Sequence, residues 1–255
     1  MPETGLQGDI DSFYALSSRA NFEQELAWKR EEIRTRGFLY QLLTRLTTRA
    51  ASIRTIVDLG AGNGTNLALA LEALPDRRAV AVDVVKPKDF PAELNIEFIT
   101  ASISSPPPNL PYGQTDLVIM AEIIEHLWDT DGAIALARRL LRRGGFLVLG
   151  TPNLSSLVNR LALLSGRQPM GTEVSARAIY GRPGSTIVGH IHVFTARALA
   201  ECLSHNGFEI QEFVTAPSEF KEITAGKRSL LRAIDRLGSL LGPFGSRILV
   251  VAVPS

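Results

Sequence analysis

From Thr55 onward the chain alternates two kinds of segment, and that alternation constrains the fold more than any other feature. TIVDL is a short β-branched run; a Gly-rich turn follows, then the helical LALALEAL, then AVAVDV as a second run of strand character. This is βαβ grammar, two parallel strands joined by a crossover helix. It continues through IEFIT, a Pro-rich loop at residues 105–111, DLVIMAE, the helical AIALARRLLRR and GGFLVLG. Residues 208–214 and 247–253 add two further strand-like runs. The strands are apolar throughout rather than alternating, so both faces of the sheet must be covered. The expectation is a doubly wound, mostly parallel, seven-stranded α/β sheet of Rossmann-like type.

Ahead of this core, Phe22, Leu26, Ile33, Leu39, Leu42, Leu43 and Leu46 form a helical stripe interrupted near Gly37, which predicts two helices. Residues 1–52 are therefore expected to be a helical extension, and 53–255 the main domain. Beyond Thr151 the pattern loosens. Residues 152–165 read as a helix, 166–189 as a long loop, and Thr195 as the cap of a helix ending at Gly207. An amphipathic stretch includes Leu230, Leu231, Ile234, Leu237 and Leu241, with Lys227, Arg228, Arg232 and Arg236. Its expected use is core packing or a homodimer contact, with contact to a membrane or lipid tail the alternative.

The glycine turn is the most informative segment. In IVDLGAGNG, Asp58 ends a strand, and Gly60, Gly62 and Gly64 lead into a helix. Glycines there permit positive φ and let a ligand approach the backbone. Asp83 ends the second strand, 23 residues after Gly60, where a carboxylate can accept from both hydroxyls of a ribose. An adenosine-containing cofactor is the expectation. Dinucleotide enzymes share this logic, but their loop runs G-x-G-x-x-G, whereas the spacing here is G-x-G-x-G with Asp58 two residues earlier. A carboxylate there suits a cationic ligand better than a pyrophosphate.

At these residues the sequence resembles the class I S-adenosylmethionine-dependent methyltransferases, from Ile53 to the C-terminus. Their first motif matches Asp58 to Gly64, and their ribose acid matches Asp83. The resemblance implies that Asp58, Gly60, Ala61, Gly62, Gly64, Asp83, Val84, Ser102, Ile103 and Ala121 contact S-adenosylmethionine. The family often has an Asp near the end of the third strand, where this chain has Ala101, Ser102 and Ile103.

After the fourth strand comes AEIIEHLWD, which puts Glu122, Glu125 and His126 at the C-terminal sheet edge, where open α/β folds bind ligands. In helical geometry those positions share one face. Their plain alternative is a solvated first helical turn. An acid-histidine pair here resembles that of ubiquinone-pathway O-methyltransferases. Small-RNA 2′-O-methyltransferases carry a similar Glu-x-x-Glu-His and a later His that together hold a divalent cation. By that resemblance Glu122, Glu125, His126 and His190 are the metal-ligand set, His192 is the substitute for His190, and Mn, Fe, Zn or Mg is the ion. The alternative for both late histidines is a loop residue bonded to backbone.

The expected activity is O-methylation of a small-molecule or glycan-type acceptor. His126 is the catalytic base, with Glu122 and Glu125 orienting it, or these groups hold a metal. An RNA ribose methyltransferase is the first rival. Against it stands the charge: 27 Lys and Arg balance 26 Asp and Glu, for +1, so no bulk field draws nucleic acid. Arg138, Arg139, Arg142 and Arg143 are read as a solvated helix end. A non-catalytic cofactor-binding subunit is the second rival. With 45% hydrophobic and 21% charged residues, the composition excludes disordered and fibrous classes. The single Cys202, a polar N-terminal segment and no apolar run near the roughly 20 residues of a membrane span lead to the expectation of a cytoplasmic protein.

Overall fold

A computed structural model describes residues 19–34, 38–49, 53–88, 90–175, 177–184, 187–218, 220 and 225–255. Its centre is one seven-stranded sheet: β1 Thr55–Leu59, β2 Arg78–Asp83, β3 Glu97–Thr100, β4 Thr115–Ala121, β5 Leu141–Pro152, β6 Phe208–Ala216 and β7 Arg247–Pro254. The strand order is β3-β2-β1-β4-β5-β7-β6. Only β7 runs against its neighbours, pairing antiparallel with β5 and β6. The order reverses between β1 and β4, and a crevice opens there beyond their C-terminal ends.

Among the described residues, seven α-helices surround the sheet: α1 Arg19–Arg34, α2 Phe38–Thr47, α3 Thr65–Ala73, α4 Thr130–Leu140, α5 Leu157–Leu164, α6 Ala196–His205 and α7 Ala225–Leu240. Successive strand residues point to opposite faces, and both faces are covered. Ile56, Leu117, Ile119 and Val148 pack under Leu26, Leu42, Leu46 and Leu67 of α1 to α3. Val57, Val118, Met120 and Leu147 pack on the other side with Ile134, Ala137, Leu199 and Leu203 of α4 and α6. The doubly wound expectation therefore holds residue by residue. The two expected N-terminal helices are α1 and α2; residues 1–18 lie outside the described residues.

Three local expectations are corrected. The helix of residues 130–140 stops before Arg142 and Arg143, because Leu141 pairs with Thr115 and opens β5. Arg142 then forms an ion pair with Asp116, so only Arg138 and Arg139 lie in the last helical turn. The helix expected over 152–165 is shorter: β5 runs through Pro152 opposite Arg247, and Ser156 caps α5 by accepting the Asn159 N–H. Thr195 caps α6 as expected, but that helix ends at His205. No helix among the described residues is long and apolar enough to cross a membrane.

Candidate active site

The crevice has two sides, named for what the sequence leads one to expect there: a cofactor side at the glycine loop after β1 and an acceptor side after β4. On the first, the chain leaves β1 at Leu59 and turns through Gly60, Ala61 and Gly62 into α3. Gly60 has φ +79°, and an added Cβ would lie 2.3 Å from Ile123 Cγ1, so no other residue fits without moving the acceptor side. Gly62 also has positive φ, but nothing lies within 4 Å of an added Cβ. Its backbone faces open space, the arrangement a ligand pressed against the loop requires. The Gly62 N–H donates to Asp83 Oδ2 and the Val84 N–H to Oδ1, both at 2.7 Å. Asp83 thus holds the loop at the position where the sequence predicts the ribose acid.

Asp58 is buried, and neither carboxylate oxygen has a hydrogen-bond partner among the described residues. Burial pushes its carboxyl up to about 7, opposed by the Lys29 charge and reinforced by Asp83. A buried carboxylate without a donor is costly, and a cationic or N–H-bearing ligand group would relieve that cost. The α-ammonium of a methionine moiety has that chemistry. Helix α1 lies across this loop. Glu25 accepts from Asn63 Nδ2 at 2.6 Å, and Lys29 donates to Asn66 Oδ1 at 2.8 Å. Both contacts went unrecognised in the sequence, since nothing local marks Glu25 or Lys29. Ile103 is buried, Ser102 is exposed and Ala121 is buried at the end of β4.

On the acceptor side Ala121 gives way to Glu122, whose φ of +60° is unusual for a residue with a side chain. That turn aims the Glu122 carboxylate at Arg247 of β7, with which it forms an ion pair. A 3-10 turn, Ile124–His126, follows. Glu122 therefore does not share a helical face with the next two groups. Glu125 has no exposed surface; Oε2 accepts from Thr151 at 3.0 Å and Oε1 has no hydrogen-bond partner among the described residues. Burial lifts its carboxyl to about 7, against the pull of the Thr151 hydrogen bond.

Two histidines complete the group. Ring centroids of His126 and His190 are 4.9 Å apart, and His190 Nε2 is 3.9 Å from Glu125 Oε1. Each Nδ1 meets a backbone carbonyl, Gly189 O at 3.1 Å and Gly171 O at 2.6 Å. A carbonyl only accepts, so each proton sits on Nδ1 and each Nε2 carries a lone pair. Burial, aided by His190, pushes His126 down to about 4; burial also lowers His190. Both rings are neutral at pH 7.

The loop over 166–189 is fastened here by a buried pair. Glu173 and Arg182 bridge at 3.3 Å, and Glu173 accepts the Val188 and Gly189 N–H groups. The Gly189 carbonyl is thereby held against His126. His192 goes elsewhere, its Nε2 3.4 Å from the Trp128 carbonyl. So the structure gathers Glu125, His126 and His190, whose ligand atoms lie within 4.8 Å of one another. It ties Glu122 to Arg247 and sets His192 apart. Beside the cluster is a cavity of about 580 Å³, lined also by Arg247, Asn159, Met170, Phe220 and Ser246.

A sheet of this strand order, with its glycine loop and orphaned acid at the switch point, defines the class I S-adenosylmethionine-dependent methyltransferase fold. Residues 30–212, well over half the chain, match the family model described as a methyltransferase domain, and the chain belongs to that family. Over 115 residues it is 30% identical to a probable S-adenosylmethionine-dependent methyltransferase of Mycobacterium tuberculosis, covering 43% of this chain and 39% of that protein. Over 181 residues it is 28% identical to a 37.1 kDa protein in a Streptomyces fradiae transposon, covering 68% and 49%. The chain thus spans less than half the length of these curated relatives. Its fold is similar to that of the Burkholderia thailandensis 1,6-didemethyltoxoflavin-N1-methyltransferase, solved with that substrate and S-adenosylhomocysteine. The TM-score is 0.59 at 16% identity, covering 98% of this chain and 87% of that one. At that identity the likeness shows the fold alone.

Proposed function

We propose that this chain transfers the methyl group of S-adenosylmethionine to a hydroxyl oxygen of a small-molecule or glycan-type acceptor seated in the cavity beside Glu125. The observation that carries this reading is a pair of buried carboxylate oxygens, Glu122 Oε1 and Glu125 Oε1, without hydrogen-bond partners among the described residues. Both residues line the cavity. Unpartnered acceptors call for donors, and an acceptor bearing neighbouring hydroxyls supplies them.

When bound, the cofactor supplies an activated methyl group on a sulfonium. The protein has two tasks, to align the acceptor oxygen in line with that methyl and to take its proton. Asp58 and the glycine loop hold the cofactor side; Glu122 and Glu125 orient the hydroxyls. His126 takes the proton on Nε2, with its Nδ1–H held by Gly189. A base held as low as about 4 suffices if proton loss follows C–O bond formation, since an oxygen acquiring a third bond becomes far more acidic than a hydroxyl.

A second reading is favoured by the cluster itself. One carboxylate with two imidazoles, each braced through Nδ1 by a carbonyl, fits a divalent cation. The donor set suits Mn, Fe or Zn better than Mg. Glu125, His126 and His190 would hold it, and it would lower the acceptor's pKa. The test is His126→Ala with an identified acceptor. Turnover should fall by roughly 100-fold or more with S-adenosylhomocysteine affinity unchanged. Turnover near wild type removes His126 from either role.

A further inference from the structure

Exposed leucines concentrate on one flank of the molecule. Leu163 and Leu164 end α5, and Leu230, Leu237, Leu240 and Leu241 lie along and just beyond α7; Leu164 and Leu240 are each 84% exposed. The two helices touch: an added Cβ at Gly238 would lie 3.0 Å from Leu157 Cβ. The core-packing use expected of this stretch falls to Leu231 and Ile234, which pack on Val158 and Phe220. Leu230, Leu237 and Leu241, spaced seven and four residues apart, form a separate stripe.

Among the described residues the charges beside these leucines are mostly positive, and Lys227 and Arg236 are exposed. Residues 225–241 carry Lys227, Arg228, Arg232 and Arg236 against the one acid Asp235. Asp235 is buried, accepting the Ser218 and Ser246 N–H groups. Helix α5 and the turn after it add Arg160 and Arg167 and no acid. A second copy meeting this flank across a two-fold axis would set cations against cations. An anionic lipid surface complements both features, apolar side chains entering the acyl boundary and cations meeting headgroups.

We propose that α5 and α7 dock this chain peripherally on an anionic lipid bilayer. Helix α5 lines the acceptor cavity through Asn159, and Asp235 of α7 holds Ser218, which lies on the cavity wall. Docking therefore sets that cavity next to the lipid layer.

Co-sedimentation with phosphatidylcholine vesicles, with and without phosphatidylglycerol, tests this. The full chain should sediment only with the anionic vesicles, and less as salt rises. Leu164→Glu with Leu240→Glu, and separately Lys227→Glu with Arg236→Glu, should each cut the partition coefficient about fivefold or more. Circular dichroism and S-adenosylhomocysteine affinity should stay unchanged in both. Binding to neither vesicle, equal binding to both, or binding that both variants retain overturns the proposal. So does a dimer in ultracentrifugation that the leucine variant dissociates, which would assign the flank to a second copy.

Discussion

His190 Nε2 lies 3.9 Å from Oε1 of Glu125, a carboxylate with no exposed surface. The pair spans 65 residues of chain, from the 3-10 turn after β4 to the loop before α6. Burial raises the acid and lowers both neighbouring imidazoles, so each group is held away from its charged form. A buried polar cluster in that state adds little to stability. On the proposed reading its value lies in proton or cation chemistry beside the cavity.

The Asp58 carboxyl predicts a pH-dependent cofactor affinity. Its pKa in the free protein is about 7, and a cationic ligand group binds only the ionised form. S-adenosylhomocysteine affinity should be level above about pH 7 and fall about tenfold per unit below it. Asp58→Asn should flatten that profile and weaken binding at alkaline pH. The sign for stability is opposite. A carboxyl raised on folding contributes stability below its unfolded pKa that is lost as pH rises through about 7. Ligand-free Asp58→Asn should therefore be more stable than the parent at alkaline pH, by at most about 4 kcal/mol. Calorimetry and thermal melts across the range check both halves, and a flat affinity profile for the parent contradicts the assignment.

Two glycines in one loop should respond differently. Gly60→Ala drives a Cβ into Ile123 and should destabilise the chain by about 2 kcal/mol or more. Gly62→Ala meets no protein atom, so its stability cost should stay near the backbone strain of about 1 kcal/mol. Its methyl would instead occupy the cofactor's approach, and S-adenosylhomocysteine affinity should drop at least about tenfold. Melting curves beside titrations separate the two, and unchanged affinity in Gly62→Ala would place the cofactor elsewhere. Asp83→Ala, which loses both the loop tether and the ribose acceptor, should weaken binding by about 1.5 to 3 kcal/mol per hydrogen bond lost.

The cofactor side was legible in the sequence because its signal is local. Asp58, the glycines and Asp83 fall within one βαβ unit, where spacing fixes geometry. The acceptor side was legible only in part. Glu125, His126 and His190 could be named, but the +60° φ that turns Glu122 toward Arg247 leaves no trace in residue type. Arg247 reaches the site through the antiparallel pairing of β7 with β5, 125 residues away. Glu25, Lys29, Glu173 and Arg182 act through contacts across loops and helices, which periodicity does not report. Arg142 was misplaced for a related reason, since strand pairing at Leu141 overrode a helical run.

The base and cation readings part on one experiment. Under the cation reading, elemental analysis finds a stoichiometric transition metal, chelation abolishes turnover, and Mn or Zn restores it except in His190→Ala. Under the base reading, chelated metal-free protein keeps full turnover. His192→Ala should be neutral in either case, because its ring sits on the Trp128 carbonyl. Loss of metal or turnover in that variant would contradict the cluster described here.

The most direct measurement follows the methyl group itself. The chain is incubated with methyl-labelled S-adenosylmethionine and a panel of sugars, phenols and other hydroxylated acceptors, with amines and RNA alongside, and the product is located by nuclear magnetic resonance. Label is expected in an O-methyl group of a hydroxylated small molecule or glycan, formed with S-adenosylhomocysteine and lost in His126→Ala. Label on nitrogen, carbon or RNA ribose, or label on oxygen at an undiminished rate in His126→Ala, would contradict it.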